Sequence, residues 1–284
     1  MAEKLAERAN YALSNNTKSN YRTVKNNVVR CEEAMDVTLD FPWNIKKTLC
    51  FVAYLLFTRC VKAKTVECQL AGVRMAHLQL GFDSPTLKKP IVDLILKGTE
   101  HWEVLNENLS NTTHRTPVTI DMMKVIKRKL HQYNWAPDIK FQFWATCTLV
   151  WAGSLRIHEV LSKNQSNFDP QTTLLSNNIE IVSVDCSGLE RQLIRLKIKS
   201  PKEDRVGHGT TLEIFGNDTF LCPVRALKKY MKTNGHMGNS RQSKPFFMWP
   251  SGKGYTGTDF NKHLKEMTIE LTVGTDKVVR SHSL

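Results

Sequence analysis

No apolar run in this 284-residue chain is long enough to cross a bilayer: Leu49–Phe57 spans nine residues and the uncharged stretch Phe141–Leu155 fifteen, against about 20 needed. The first ten residues lack the apolar core of a secretory signal and carry Glu3, Lys4, Glu7 and Arg8 instead. Membrane insertion and secretion are therefore not expected, and the Asn-x-Ser/Thr triplets near residue 110 carry no meaning for glycosylation. The seven cysteines (31, 50, 60, 68, 147, 186 and 222) are odd in number and contain no C-x-x-C pair. They read as buried free thiols of a reducing compartment. His158-Glu159 lacks the second histidine of H-E-x-x-H, and no Cys/His set has zinc-ligand spacing, so neither a metal nor a cofactor is expected. No internal repeat occurs, and the first half has no alternating β-branched run that would build a sheet.

Negative charge is in short supply. Lysine and arginine number 40 against 27 aspartates and glutamates, a net +13, and that excess points to a polyanionic partner, nucleic acid first and a membrane surface second. At about 150 residues per domain the length suggests two domains, and 41% apolar content is enough to give each a core.

Helical periodicity dominates the first half. Thr17 can cap a helix to about Met35, Pro42 can open one to about Lys62, Thr65 begins a third stopped by Gly81, and a fourth runs from about Pro85 to Leu96 with Gly98 closing it. The polar segment NENLSNTTHRTP, Asn106–Pro117, has the composition of a linker. The expected organisation is a helical domain over 1–105, a linker over 106–118 and a second domain over 119–284. The charge is +4 before residue 119 (16 basic, 12 acidic) and +9 after it (24 basic, 15 acidic).

The second domain opens with helices at Ile120–Tyr133 and Pro137–Ala152. Short β-type runs follow at Ile179–Asp185, Gln192–Ile198 and Thr211–Ile214, then helices at Pro223–Thr233 and Thr258–Leu271. The fold class is α+β, mostly helical, with a small antiparallel sheet.

Two segments stand out chemically. In Gly153-Ser154-Leu155-Arg156-Ile157-His158-Glu159 an arginine and a glutamate three residues apart follow a long apolar helix that Gly153 breaks. An isolated R-x-x-E is usually a surface ion pair, but here it falls at a junction of packed elements, where a guanidinium held by a carboxylate is pre-oriented to grip a phosphate. The second is the basic turn after Ile194–Lys199, where Lys202 is best placed to neutralise or protonate a phosphate oxygen and Lys199 is next. A solvated hairpin tip is the plainer reading of that segment. Gly252-x-Gly254-x-x-Gly257 follows the apolar Phe246–Trp249, read as a strand. The match to a dinucleotide fingerprint is rejected because Pro250-Ser251 interrupts the turn, and a flexible loop is expected instead.

Taken together these segments resemble the tyrosine recombinase (phage integrase) family, in particular its eukaryotic DIRS-like and Crypton-like branch. The arginine segment G-x-R-x-x-E is similar to Gly153–Glu159 with one extra residue, and the hairpin lysine motif to Lys202-Glu203-Asp204 with Gly209. The helix C-P-x-x-A-L-x-x-Y matches Cys222–Tyr230, F-N-x-x-L matches Phe260–Leu264, and S-H-S-L matches Ser281–Leu284. The N-terminal half is similar to the family's helical core-binding domain. The resemblance implies double-stranded DNA as partner, self-association on DNA as a tetramer, and strand cleavage and rejoining through a phosphotyrosine without a metal. It makes Arg156 a phosphate clamp, Glu159 its support, Lys202 the general acid and His282 a phosphate donor or proton shuttle, and it implies a nuclear location in a eukaryote, a cytoplasmic one otherwise. The second arginine and the nucleophilic tyrosine would lie beyond Leu284. The chain is thus expected to be a fragment or truncated form, inactive by itself, with a DNA-binding remnant and a basic interaction protein as the alternatives.

Overall fold

The computed structural model describes residues 15–82, 90–106, 114–115, 117–199, 208–234, 243–272 and 277–278. The chain divides into two compact units, Met1–Thr112 and Thr113–Leu284.

In the first unit helix α1 (Asn15–Met35) buries Val24 and Cys31 at helical spacing. Helix α2 (Ile45–Ala53) starts three residues after Pro42. Proline has no side-chain oxygen to offer, whereas Asn44 Oδ1 accepts the Lys47 N–H at 3.0 Å and fixes the start there. A single π-helical turn, Tyr54–Thr58, extends α2. Helix α3 (Ala63–Gln79) begins two residues before Thr65, because the Glu103 carboxylate from the next helix accepts the Ala63 N–H at 2.8 Å. It ends before Gly81, whose φ of 79° suits glycine.

Helix α4 (Pro90–Leu105) departs most from expectation. It runs straight through Gly98 to Leu105. A mid-helix glycine costs only about 1 kcal/mol, and the burial of Val92 and Leu96 on α4 outweighs that, since each full burial is worth about 1.5–3 kcal/mol. Trp43, Phe51, Leu55, Val66 and Val73 complete this core. His77 is fully buried in it. Its Nε2 accepts the Trp43 N–H at 2.9 Å while Nδ1 donates to the Val73 carbonyl at 2.9 Å, which fixes the ring's orientation.

The second unit is α+β. Helix α5 (Ile120–Gln132) is capped by Thr119, and α6 (Pro137–Gly153) is buried almost all round. A short α7 (Ile157–Val160) leads to the antiparallel sheet β2 (Ile179–Cys186), β3 (Leu189–Ile198) and β4 (Thr210–Phe215), in the order β2-β3-β4. A two-residue parallel pair joins β1 (His114–Arg115) to β5 (Lys277–Val278). Helix α8 (Pro223–Thr233) packs along α6, and α9 (Gly257–Thr272) packs on α5.

The C-P-x-x-A-L-x-x-Y pattern is core chemistry. Pro223 opens α8, where its missing N–H is no loss. Val224, Ala226, Leu227 and Tyr230 are buried, and the Tyr230 hydroxyl donates to the Phe246 carbonyl at 2.8 Å and accepts the Met248 N–H at 3.3 Å.

Phe246–Trp249 is not a regular strand. Isolated bridges at Pro245 and Met248 hold it, and its apolar residues are buried by ring packing rather than by a ladder, with the Tyr230 and Phe247 rings 5.1 Å apart. The cysteines also divide differently from expectation: all seven are free, but Cys60 and Cys68 are exposed, Cys50 and Cys186 half-buried, and only Cys31, Cys147 and Cys222 buried. Among the described residues no helix is long and apolar enough to cross a membrane, and no group of three or more His, Cys, Asp or Glu side chains could hold a metal.

Candidate phosphate-gripping site

Gly153 is the last residue of the apolar helix α6, but it is Ser154 just after it that takes the left-handed cap conformation, at φ 48°. The Leu155 N–H then reaches back to the Val150 carbonyl at 3.0 Å, closing the helix end. Gly153 serves space instead, because a Cβ there would lie 2.9 Å from Ile214 Cδ1. Leu155 and Ile157 are buried on either side of Arg156, so the backbone on both flanks is pinned and the arginine side chain between them points outward, 49% exposed.

Arg156 precedes α7 rather than lying within it. The Glu159 carboxylate accepts the Arg156 backbone N–H at 2.8 Å through Oε2 and the guanidinium at 3.4 Å through Oε1. One carboxylate thus holds both the backbone and the fork. Glu159 is itself only 11% exposed, which limits its motion and leaves Arg156 the outward-facing partner.

The segment after α7 is strapped to the turn before α9. Ser162 and Thr256 form a parallel bridge, the Ser162 N–H donates to the Tyr255 carbonyl at 3.2 Å, and the Gly254 N–H donates to the Gln165 carbonyl at 2.7 Å. Gly254 admits no side chain, since a Cβ there would stand 2.6 Å from Ser162 Oγ. The expected flexible loop is therefore a packed turn, with Gly254, Tyr255, Thr256 and Gly257 all buried. Ser162 Oγ is buried with no partner among the described residues.

Asp259 organises this strap. Its carboxylate accepts from the Thr256 hydroxyl at 2.7 Å, the Thr256 N–H at 2.9 Å and the Gln165 amide. Burial alone would raise its pKa, but these hydrogen bonds to the charged form outweigh it and hold the carboxyl below the usual aspartate value. Beneath lies a ring cluster in which the Tyr255 hydroxyl meets His263 Nδ1 at 2.7 Å and Trp135 lies 4.4 Å from the His263 ring. Burial pushes the His263 pKa down and the Tyr255 pKa well up.

Of the four residues expected at the site, Arg156 and Glu159 are brought together. Lys202 and His282 lie outside the described residues. Lys199 donates to the Pro170 carbonyl at 3.0 Å. Tyr54, Tyr230 and Tyr255 are buried, and a phenol as deeply desolvated as Tyr255 is poorly suited to attack as a phenolate. The Gln165, Thr256 and Asp259 strap went unnoticed in the sequence.

No family model and no curated protein matches the chain. Two solved structures are similar over 99% of its length. One is a XerA recombinase, at 12% identity and a TM-score of 0.34, with 80% of that chain covered. The other is the integrase of transposon Tn1549 in complex with circular intermediate DNA, at 14% identity and a TM-score of 0.49, with 81% of that chain covered. Agreement this loose leaves the functional reading to the chain's own residues.

Proposed function

We propose that the chain is a DNA-handling protein of the tyrosine recombinase type and that Arg156 grips a backbone phosphate. The observation that carries this is the double hold of Glu159 on Arg156, which fixes an outward guanidinium between two buried neighbours. A planar fork so held matches two phosphate oxygens and stabilises charge that gathers on them during strand cleavage. In this reading Lys202 donates the proton to the leaving oxygen and His282 shares the phosphate. The first unit is a helical core-binding domain, the second the catalytic one, and copies associate on duplex DNA, in the nucleus if the host is eukaryotic and in the cytoplasm otherwise, on the DIRS-like and Crypton-like pattern.

A mobility-shift titration tests it. For some 6–10 phosphate contacts, duplex affinity falls by about 10³–10⁵ between 50 and 200 mM salt, and Arg156→Ala lowers the log–log salt slope by about 1. Binding that is absent, or indifferent to salt, would make this a basic interaction protein with no DNA role.

A further inference from the structure

Helix α8 has four cations, Arg225, Lys228, Lys229 and Lys232, and no carboxylate in eleven residues. An ordinary solvated helix face mixes the two signs. Here Arg225 and Lys229 stand four residues apart, on one face, where like charges repel and cost helix stability. Both are exposed.

A third cation stands on α5, over α6, the same helix that α8 packs along. Lys127 is half-buried, and its ammonium lies 4.6 Å from the centre of the Trp144 ring on α6. The ring face attracts the cation and fixes its position. Burial first, then the charges of Lys229 and Arg225, push its pKa down. The one acid of α5, Asp121, is already paired with Lys124 at 2.8 Å. Three cations, from α5 and α8, thus flank α6. Trp144 lies nine residues before Gly153, about 14 Å along α6 at 1.5 Å per residue, so the Lys127 ammonium over its ring is set well back from Arg156.

We propose that Lys127, Arg225 and Lys229 form a second phosphate-binding surface, which holds the backbone of duplex DNA away from the strand gripped by Arg156. A duplex backbone fits because it supplies closely repeated single charges that several fixed cations can neutralise together, with release of counterions as the driving force. The surface reads no bases. Its role is to set the path of the flanking duplex. The proposal rests on the DNA reading given above.

The test uses the full chain, a duplex of arbitrary sequence and anisotropy titrations across a salt series. Arg225→Glu with Lys229→Glu should weaken binding by about tenfold or more and reduce the salt slope by about 2, at roughly 0.9 per lost contact. Lys127→Met keeps an unbranched stem over Trp144 and should reduce the slope by about 1. Arg191→Glu with Lys265→Glu makes the same change of charge elsewhere in the second unit and serves as the control, and thermal melts confirm that each variant is folded. If the patch variants lose no more than the control, the second surface is wrong while the DNA reading stands. If the wild-type chain binds no duplex, both fall. Competition by polyglutamate as effective as by DNA of equal charge would overturn the phosphodiester occupant in favour of an acidic protein.

Discussion

Gln165 and Asp259 stand 94 residues apart in sequence, yet the Gln165 amide donates to both carboxylate oxygens, at 3.0 and 3.2 Å. The contact closes a strap that begins just after α7, three residues after Glu159, and ends in the first turn of α9. Whatever holds this strap also holds the backbone that presents Arg156.

The bonds of the strap should differ in worth. Thr256 is buried and its hydroxyl donates to the Asp259 carboxylate, so Thr256→Val, which keeps the backbone bond, should cost about 1.5–3 kcal/mol in denaturant unfolding, the range for a hydrogen bond to a charged group. Gln165 is exposed, and Gln165→Ala should cost under about 1 kcal/mol because water replaces it. Equal costs for the two would show that burial does not rank these bonds.

Gly254→Ala should destabilise by about 1–3 kcal/mol through overpacking against Ser162. Ser162→Ala alone should be neutral or slightly stabilising, since it removes a buried hydroxyl with no partner among the described residues. Ser162→Gly in the Gly254→Ala background should restore most of the loss. A double variant as unstable as Gly254→Ala itself would place the clash elsewhere.

The two halves of this region were legible to different degrees. Arg156 and Glu159 could be found because they interact across three residues, a distance at which spacing alone brings side chains together. Helix α8 was readable to its ends for the same local reason: Pro223 marks the start, and apolar residues at 224, 226, 227 and 230 mark the inner face. The Gln165–Asp259 strap had no such signal. It depends on chain segments 94 residues apart, whose meeting no local spacing announces. Phe246–Trp249 misled because a short apolar run signals burial without saying whether a ladder or ring packing provides it. Gly98 misled because glycine lowers helix propensity without deciding the outcome when the neighbours on the inner face are buried.

His263 gives the second unit a pH dependence of definite sign. Its folded pKa lies below the usual histidine value, so between the two the unfolded chain binds the extra proton. Stability is full above about pH 6.5 and is lost as pH falls from there through the lower folded value. His263→Phe should flatten the unfolding free energy in that window and Tyr255→Phe should keep the slope. Urea titrations at a series of pH values would detect this, and a slope unchanged in His263→Phe would assign it to another group.

The thiols should separate by exposure. Cys60 and Cys68 should alkylate within the native state, whereas Cys31, whose pKa burial pushes up to about 12, and Cys147, raised by full burial, should react only on unfolding. Mass spectrometry of timed iodoacetamide reactions resolves the classes. Native-state labelling of Cys147 as fast as of Cys60 would contradict the packing of α6.

The end of α6 divides two requirements that one glycine often meets together. Gly153 supplies the missing side chain and Ser154 the left-handed torsion, so the pair works as two half-glycines in series. Substitution tolerance should therefore differ at adjacent positions: 153 rejects any side chain for want of space, whereas 154 accepts volume but penalises β-branching. The arginine's distance from the last helical turn is then counted from the torsion rather than from the glycine.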